Sequence, residues 1–250
     1  MEHRRVAVVT GGSRGIGAAT CVGLAAHGHD VCVNYVGNES AATDVVAGCE
    51  AAGGRAIAVQ ADVSVEADVL RLFETTAEEL GPPDVLVNNA AVIFPLGRVE
   101  DLRLERIRRT FEVNVLGVML CAREAVRWMS TRHGGNGGVV VNLSSAAARL
   151  GSPGAYVEYA ASKAAVDAVT LGLAQEVIAD GVRVVGVRPG IVDTDIHVEA
   201  GGPHRMADLA SSTPIGRAAR PVEIANAIVW LTSDEASYVA GATIDVTGGR

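Results

Sequence analysis

The chain has 250 residues, of which 49% are hydrophobic and 20% are charged. This composition excludes a disordered or fibrous protein, and the length suits one large core, so we expect a single domain over residues 1–250. The formal net charge is -8 at pH 7, and the longest basic cluster comprises Arg106, Arg108 and Arg109. Nucleic acid is therefore not an expected partner.

Signals for membrane insertion, export and metal binding are missing from the sequence. No apolar run approaches the roughly 20 residues that span a bilayer, and residues 1–5 lead straight into an apolar strand, unlike a signal peptide. The four cysteines have no C-x-x-C spacing, and the six histidines form no pattern of metal ligands. We expect a cytoplasmic protein with reduced, buried cysteines and with no metal and no membrane partner.

Short runs rich in β-branched residues alternate with longer segments that are compatible with helices. Strands are predicted at residues 6–10, 31–35, 55–60, 84–88, 138–143, 182–187 and 242–246. Helices are predicted at residues 15–27, 40–52, 65–80, 102–129, 156–179 and 221–231. The alternation predicts an α/β fold of the Rossmann type, a doubly wound, seven-stranded parallel sheet with helices on both faces. Residues 193–220 contain no predicted element, and we expect a substrate loop there.

A glycine-rich turn follows the first predicted strand. Residues 10–17 read T-G-G-S-R-G-I-G and open a helix rich in alanine. Glycines let the backbone approach a pyrophosphate, while the free N–H groups and the positive dipole end of the helix stabilise the anion. A plain strand-to-helix turn can also use glycine, but the position after a first strand and before a helix favours dinucleotide binding.

Further motifs resemble those of the short-chain dehydrogenase/reductase family. Residues 88–91 (N-N-A-A) are similar to the family's N-N-A-G, with Ala91 in place of the usual glycine, and residues 159–163 (Y-A-A-S-K) fit Y-x-x-x-K. Residues 189–194 (P-G-I-V-D-T) fit the P-G motif after the sixth strand. The resemblance covers nearly the whole chain and implies an oxidoreductase that transfers hydride between a nicotinamide cofactor and a small carbonyl or secondary-alcohol substrate, commonly as a homotetramer.

The residues at the end of the second predicted strand bear on the choice between NAD and NADP. An Asp or Glu there would bind the ribose 2′-OH and repel a 2′-phosphate, but this chain has Asn34 and Tyr35. Asp30 starts the predicted strand, roughly 13 Å from its end, and is interpreted as a loop residue. Arg14 lies where related NADP enzymes carry a basic residue for the 2′-phosphate, and this role is favoured over that of a surface arginine without a ligand. We therefore predict NADP, with use of NAD left open.

Tyr159 and Lys163 are four positions apart in a predicted helix and so share one face. Many exposed helices carry such a pair, but Lys163 is the single lysine in a chain with 20 arginines. A compact ammonium that contacts both the cofactor ribose and a tyrosine is not replaced by a planar guanidinium. We therefore predict Tyr159 as the general acid/base, with Lys163 and an oxidised cofactor lowering its pKa.

The resemblance implies two further catalytic residues. Ser145, favoured over Ser144, stands 14 positions before Tyr159 where the family spacing is 13, so we infer a one-residue insertion in the turn at residues 151–156. Its hydroxyl is expected to stabilise the substrate oxygen. Asn114 is expected to hold a water that connects Lys163 to solvent.

The same motifs imply a set of cofactor-binding residues. Asp62 and Val63 resemble the family's adenine-contacting pair, and the alternative for Asp62 is a place in the N-cap region of the next helix. Thr194 is expected to bond the nicotinamide carboxamide. The full predicted set is Gly11, Ser13, Arg14, Gly15, Ile16, Gly17, Asn34, Tyr35, Asp62, Val63, Asn89, Ala90, Ala91, Tyr159, Lys163, Pro189, Gly190, Val192 and Thr194.

Three alternatives to a general carbonyl reductase follow from the sequence. A non-catalytic NADP sensor on the same fold would not need Asn114, Ser145, Tyr159 and Lys163 together. A nucleotide-sugar epimerase would need a larger C-terminal domain than this chain has. A 3-oxoacyl-[acyl-carrier-protein] reductase is a narrower alternative, but such enzymes tend to carry arginine where this chain has Gln175.

Overall fold

The computed structural model describes residues 4–194, 210–211 and 213–250. Valine-rich runs form seven strands, because β-branched side chains pack well on a pleated surface that is buried on both sides. They are β1 (Arg5–Val9), β2 (His29–Tyr35), β3 (Ala56–Gln60), β4 (Val85–Asn88), β5 (Gly138–Leu143), β6 (Val182–Pro189) and β7 (Thr243–Val246). All seven predicted strands are therefore confirmed.

The structure gives the full bounds of eight α-helices. They are α1 (Gly15–Ala26), α2 (Glu39–Ala51), α3 (Glu66–Glu79), α4 (Leu104–Phe111), α5 (Val118–Met129), α6 (Ala147–Leu150), α7 (Val157–Val177) and α8 (Pro221–Thr232). One π-helical turn, Glu112–Gly117, joins α4 to α5. The single helix predicted at residues 102–129 thus contains a change of helical pitch, and the short α6 was not predicted from the sequence.

The strands are all parallel and follow the order β3-β2-β1-β4-β5-β6-β7. The chain first winds outward from β1 to β3 and then returns to place β4 on the other side of β1. This reversal opens a crevice at the carboxyl ends of β1 and β4, where doubly wound sheets bind their ligands. The predicted Rossmann-type fold is confirmed.

Alternating side chains of each strand enter two separate cores. Ala7 and Val9 of β1 pack on the side covered by α1 and α8, whereas Val8 packs on the side of α3 and α5. Both layers are rich in valine. Burial of this apolar area on both faces stabilises the strand ends that hold the site residues.

The interpretation of Asp30 as a loop residue is wrong. Asp30 is the second residue of β2 and is buried, because its carboxylate accepts a hydrogen bond from the Arg55 backbone N–H at 2.9 Å and pairs with Arg4 at 3.0 Å. These partners make a carboxylate tolerable in the strand. Its distance from the carboxyl edge of the sheet is as expected, since five residues of β2 follow it.

Most of the expected substrate loop at residues 193–220, including His197 and His204, lies outside the described residues. Across the described residues, no helix has both the length and the apolar character needed to cross a membrane.

Candidate active site

The glycine-rich turn between β1 and α1 is shaped by positive φ angles. Gly11 (φ +61°) and Gly15 (φ +55°) adopt a left-handed conformation that costs residues with a Cβ about 1 kcal/mol or more. The side chain of Arg14, the N-cap residue of α1, makes no capping hydrogen bond. The first N–H groups of a helix have no partner within the helix, so the amino end of α1 suits an anion such as a pyrophosphate.

Gly17 has a packing role and does not line the cleft above the turn. A Cβ at this position would lie 2.3 Å from the Gly11 carbonyl oxygen and 2.6 Å from Asn89 Nδ2. Asn89 Nδ2 itself donates to the carbonyls of Thr10 and Gly11, each at 2.9 Å. Asn89 thus fastens the glycine turn to the end of β4, and Gly17 leaves the space for it.

Asn34 supports the turn from the neighbouring strand. Its Oδ1 accepts from the Gly11 N–H at 3.1 Å, and its Nδ2 donates to the Ala61 carbonyl at 2.9 Å. The Gly12 N–H donates to the Asn34 carbonyl at 2.7 Å. Asn34 is 1% exposed, so this amide joins β1, β2 and the segment after β3 from within the sheet edge.

A cleft of about 700 Å³ runs along the carboxyl edge of the sheet. It is lined by every predicted catalytic and cofactor-binding residue except Gly17 and Asn114. Thr194 closes the cleft beside the turn, since a Cβ on Gly15 would meet its Cγ2 at 3.1 Å. A smaller cavity of about 420 Å³, between residues 82–84 and 133–137 at the opposite edge of the sheet, contains none of these residues.

Several lining residues were not predicted from the sequence. The turn after β2 contributes Val36, Gly37 and Asn38, which stand directly beyond Tyr35. Their position after the second strand was the available signal, but they lack the acidic or basic side chain that usually identifies this region. The other unpredicted lining residues are Ala41, Val92, Ile93, Arg109, Val113, Leu143 and Ser144.

Asp62 is part of a small polar cluster in the wall of the cleft. Its carboxylate accepts from the Ser64 hydroxyl at 2.7 Å and from Arg109 Nη2 at 2.7 Å. Burial raises the pKa of Asp62, but the hydrogen bonds from Ser64 and Arg109 outweigh it, and the net pKa is below the usual range. Asp62 is therefore a fixed anion next to Val63.

Tyr159 and Lys163 lie on one face of α7 and both line the cleft. Lys163 Nζ is 5.8 Å from the centre of the Tyr159 ring and donates to the Leu143 carbonyl at 2.7 Å. Burial of this ammonium lowers the pKa of Lys163 to about 8, and the nearby Asp167 opposes the shift. Lys163 is thus a buried cation held between α7 and the end of β5.

The pKa of Tyr159 is raised in this structure, whereas a lowered pKa is expected with Lys163 and an oxidised cofactor beside it. Removal of the phenol from water raises the pKa of Tyr159 to about 12, while a hydrogen bond with Ser145 acts in the opposite direction. Lys163 directs its Nζ at the Leu143 carbonyl, so it does not produce the expected lowering in this structure. A further positive charge in the cleft is needed to favour the phenolate.

The two serines after β5 have different partners. Ser144 is buried, and its hydroxyl donates to the Lys163 backbone carbonyl at 3.1 Å. Ser145 Oγ accepts from the Ala147 N–H at 3.1 Å, and the Ser145 hydroxyl acts to lower the pKa of Tyr159. Ser144 therefore fastens β5 to α7, whereas Ser145 stands beside the phenol.

Asn114 lies in the π-helical turn and is fully buried. Its Oδ1 accepts from the Val92 N–H at 2.8 Å, and its Nδ2 donates to the Val92 carbonyl at 3.0 Å and to Ser162 Oγ at 3.1 Å. The amide thus joins the loop after β4 to α7 one residue before Lys163. It does not line the cleft.

The residues present fit a dinucleotide. The uncapped start of α1 and the left-handed glycines form a cradle for a pyrophosphate, and close packing excludes a Cβ at Gly17. The wall at Asp62 and Val63 and the pair Tyr159 and Lys163 lie in the same cleft. Fold and cleft together define a dinucleotide-binding protein of the Rossmann type.

Comparison with known proteins identifies the family. A family model described as enoyl-(acyl carrier protein) reductase matches residues 11–250. The uncharacterized oxidoreductase YgfF of Escherichia coli K12 is 49% identical over 245 residues, covering 98% of this chain and 99% of the relative. The cis-4-hydroxycyclohexanecarboxylate dehydrogenase of Sinomonas cyclohexanicum is 42% identical over 246 residues, covering 98% of this chain and 96% of the relative.

A solved structure supports the same assignment. The short-chain dehydrogenase of Burkholderia cenocepacia J2315, determined in complex with NADP, superimposes with a TM-score of 0.88 and 37% identity, covering 98% of this chain and 97% of that one. The chain belongs to the short-chain dehydrogenase/reductase family. It is an oxidoreductase that acts on alcohol and carbonyl groups.

Proposed function

We propose that the protein is an NADP(H)-dependent enzyme that interconverts a carbonyl compound and a secondary alcohol, with Tyr159 as the acid/base. The observation that carries this proposal is the arrangement of Tyr159 and Ser145 in the cleft that contains the glycine turn, with the Tyr159 ring centre 5.8 Å from Lys163 Nζ. A protein that only binds a nucleotide has no use for this arrangement.

NADP(H), when bound, supplies or accepts the hydride. Tyr159 donates a proton to the substrate oxygen in reduction and accepts it in oxidation, and Ser145 hydrogen-bonds that oxygen as charge develops on it. Lys163 keeps a positive charge at neutral pH, because its pKa of about 8 lies above 7. This charge, together with the positive nicotinamide ring of a bound oxidised cofactor, would favour the phenolate.

The surroundings of Lys163 define the proposed path for proton exchange. Its ammonium donates to the Leu143 carbonyl, and Asn114 lies on the adjoining π-helical turn, where it contacts Ser162 of α7. We assign Asn114 to the support of this path, next to Lys163. Its side-chain amide is engaged with Val92 and Ser162, and Asn114 is proposed to hold the water that connects Lys163 to solvent.

NADP is favoured over NAD by the charges near the ribose end of the cleft. Arg14 lines the cleft at the start of α1, and the turn after β2 presents Val36, Gly37 and Asn38 without an acid. Asp30, the acidic residue of β2, is paired with Arg4 near the opposite end of the strand. The NADP complex of the Burkholderia relative is consistent with this choice.

The residues proposed to contact the cofactor divide by position. The turn residues Gly11, Ser13, Gly15 and Ile16 would hold the pyrophosphate. Asn34, Tyr35, Asp62 and Val63 stand at the adenosine end. The remaining group, nearer the nicotinamide, comprises Asn89, Ala90, Ala91, Pro189, Gly190, Val192 and Thr194. Gly17 acts through the shape of the turn.

The decisive experiment compares the parent with Tyr159→Phe. A panel of aldehydes, ketones, secondary alcohols and a 3-oxoacyl thioester should be assayed with NADPH or NADP⁺, and separately with NADH or NAD⁺. The parent should turn over at least one substrate, and Tyr159→Phe should lower kcat by about 10² to 10⁴-fold with an unchanged Kd for NADPH. A Tyr159→Phe variant with near-normal kcat would show that the mechanism is wrong.

Assembly and location belong to the same proposal. The surfaces of the π-helical turn, α5 and α7 expose Leu116, Met119 and Leu171, each about half exposed, and Gly172 leaves open space on α7. Such a surface supports a homotetramer, and light scattering that gives a monomer at micromolar concentration would contradict it. The four unpaired, buried cysteines support a cytoplasmic location.

A further inference from the structure

A buried ion pair lies directly beside the proposed acid/base. Glu158 precedes Tyr159 on α7, and its side chain is 3% exposed. Arg106 of α4 directs both its Nε, at 2.7 Å, and its Nη2, at 2.5 Å, to the same Glu158 oxygen, Oε1. Oε2 is buried and has no hydrogen-bond partner among the described residues. Glu158 therefore depends on Arg106 for its stabilisation.

The other side of the Arg106 guanidinium is enclosed by the loop that follows β4. Nη1 donates to the Pro95 carbonyl at 2.5 Å, and the guanidinium carbon lies 5.7 Å from the centre of the Phe94 ring. A Cβ on Gly97 would come within 3.2 Å of Nη1. Arg106 thus connects residues 94–97 to α7 through a single side chain.

This loop also forms part of the cleft. Val92 and Ile93 line it together with Ser145 and Tyr159. Backbone contacts hold the two ends of the loop, because Val92 is bonded to Asn114 and the Gly97 N–H donates to the Ala155 carbonyl at 2.8 Å. Between these ends, Pro95 and Phe94 are held by Arg106.

We propose that Arg106 and Glu158 form a positioning pair that fixes the loop at residues 92–97 against the start of α7, and so sets the distance between the substrate-facing loop wall and Tyr159. The pair touches neither the glycine turn nor the wall at Asp62. The pair therefore affects the KM for the carbonyl substrate and not the affinity for the cofactor. This inference rests on the proposed function for its kinetic part only.

The energetic basis is the cost of an unpaired buried charge. Removal of one partner leaves the other charged in a site with little water, and the charge is relieved if the loop or the start of α7 moves to admit solvent. Removal of both charges together avoids this cost. The two single substitutions should therefore disturb the loop more than the double substitution does.

The test uses Arg106→Met, Arg106→Lys, Glu158→Gln and the double variant Arg106→Met/Glu158→Met. Arg98→Met is the matched control, because Arg98 pairs with Glu100 at the surface of the adjoining segment. For each protein, KM and kcat are measured with the best substrate of the panel, Kd for NADPH by titration, and hydrogen exchange of the peptide covering residues 92–97 without ligands.

Arg106→Met should raise KM about tenfold or more, leave Kd for NADPH within about twofold, and speed hydrogen exchange in the loop. The KM of Arg106→Lys and that of the double variant should each lie between the KM of Arg106→Met and that of the parent. Unchanged KM and exchange in Arg106→Met, or a parallel loss of NADPH affinity, would overturn the proposal. If the parent turns over no substrate, the proposed function fails, and loop exchange alone decides whether the pair holds the loop.

Discussion

Substitution of Lys163 by methionine tests whether the buried positive charge of this lysine lowers the free energy of unfolding. Lys163 is 2% exposed, and burial lowers its pKa from 10.5 to about 8. A pKa difference of this size corresponds to about 3 kcal/mol. At pH 7 both the folded and the unfolded protein carry the proton, so the folded state bears this full cost.

The cost disappears as the pH rises. Between pH 8 and pH 10.5 the folded protein has released a proton that the unfolded chain still binds, so the contribution of Lys163 to the free energy of unfolding increases with pH. Most of the change, roughly 2 to 3 kcal/mol, occurs between pH 7 and pH 10. Methionine has a similar length and no charge, so a Lys163→Met variant lacks this dependence.

The assay is urea unfolding of the parent and of Lys163→Met at pH 7 and at pH 10. The quantity compared is the free energy of unfolding of the variant minus that of the parent, in which the other titrating groups cancel. This difference should be larger at pH 7 than at pH 10 by roughly 2 to 3 kcal/mol. Loss of the hydrogen bond to Leu143 shifts both values alike. Ala164→Ser, at an exposed position of α7, serves as the control. A difference that is the same at both pH values would refute the reasoning.

Three further predictions concern the cleft. Ser145→Ala should raise the activation barrier by about 2 to 4 kcal/mol, as measured from kcat. Ser144→Ala should chiefly lower the free energy of unfolding by about 1 kcal/mol, since Ser144 bonds the Lys163 backbone. Equal effects of the two substitutions on kcat would contradict the assignment. Arg14→Ala should weaken NADPH about tenfold and leave NADH unchanged in fluorescence titrations, and an equal loss for both would remove Arg14 from the phosphate site. Gly17→Ala should lower the free energy of unfolding in urea by about 1 to 3 kcal/mol, because its Cβ would meet the Gly11 carbonyl at 2.3 Å. Gly172→Ala places its Cβ in open space and should not destabilise the protein. Similar values for the two variants would argue against the packing role of Gly17.

The pattern of the chain determined the fold class. Valine-rich runs alternating with helical segments are enough to predict the parallel sheet, because buried parallel strands and crossover helices each demand a distinct composition. All seven strands appear where they were predicted. The motifs around Gly11, Asn89 and Tyr159 led to the family, which the comparisons show. The short helix α6 was missed because four residues leave no periodic signal.

Tertiary structure decided what each polar residue does. Ser144 and Ser145 are identical in type, but only the geometry shows one facing the Lys163 backbone and the other facing Tyr159. Asp30 looked like a loop residue until its partners, Arg4 and Arg55, came from distant parts of the chain. Such roles depend on which groups meet after folding, and a linear pattern does not record contacts between residues far apart in sequence.

The same limit applies to the charges near Tyr159. The sequence identified Tyr159 and Lys163 as a pair, whereas the depth of burial that sets their pKa values depends on how β5, α7 and the loop after β4 close around them. Arg106 and Glu158 are 52 positions apart, and neither belongs to a motif. The sequence thus led to the residues that we propose for the reaction, and the three-dimensional packing decided their electrostatics, because solvent exclusion exists only in the folded chain.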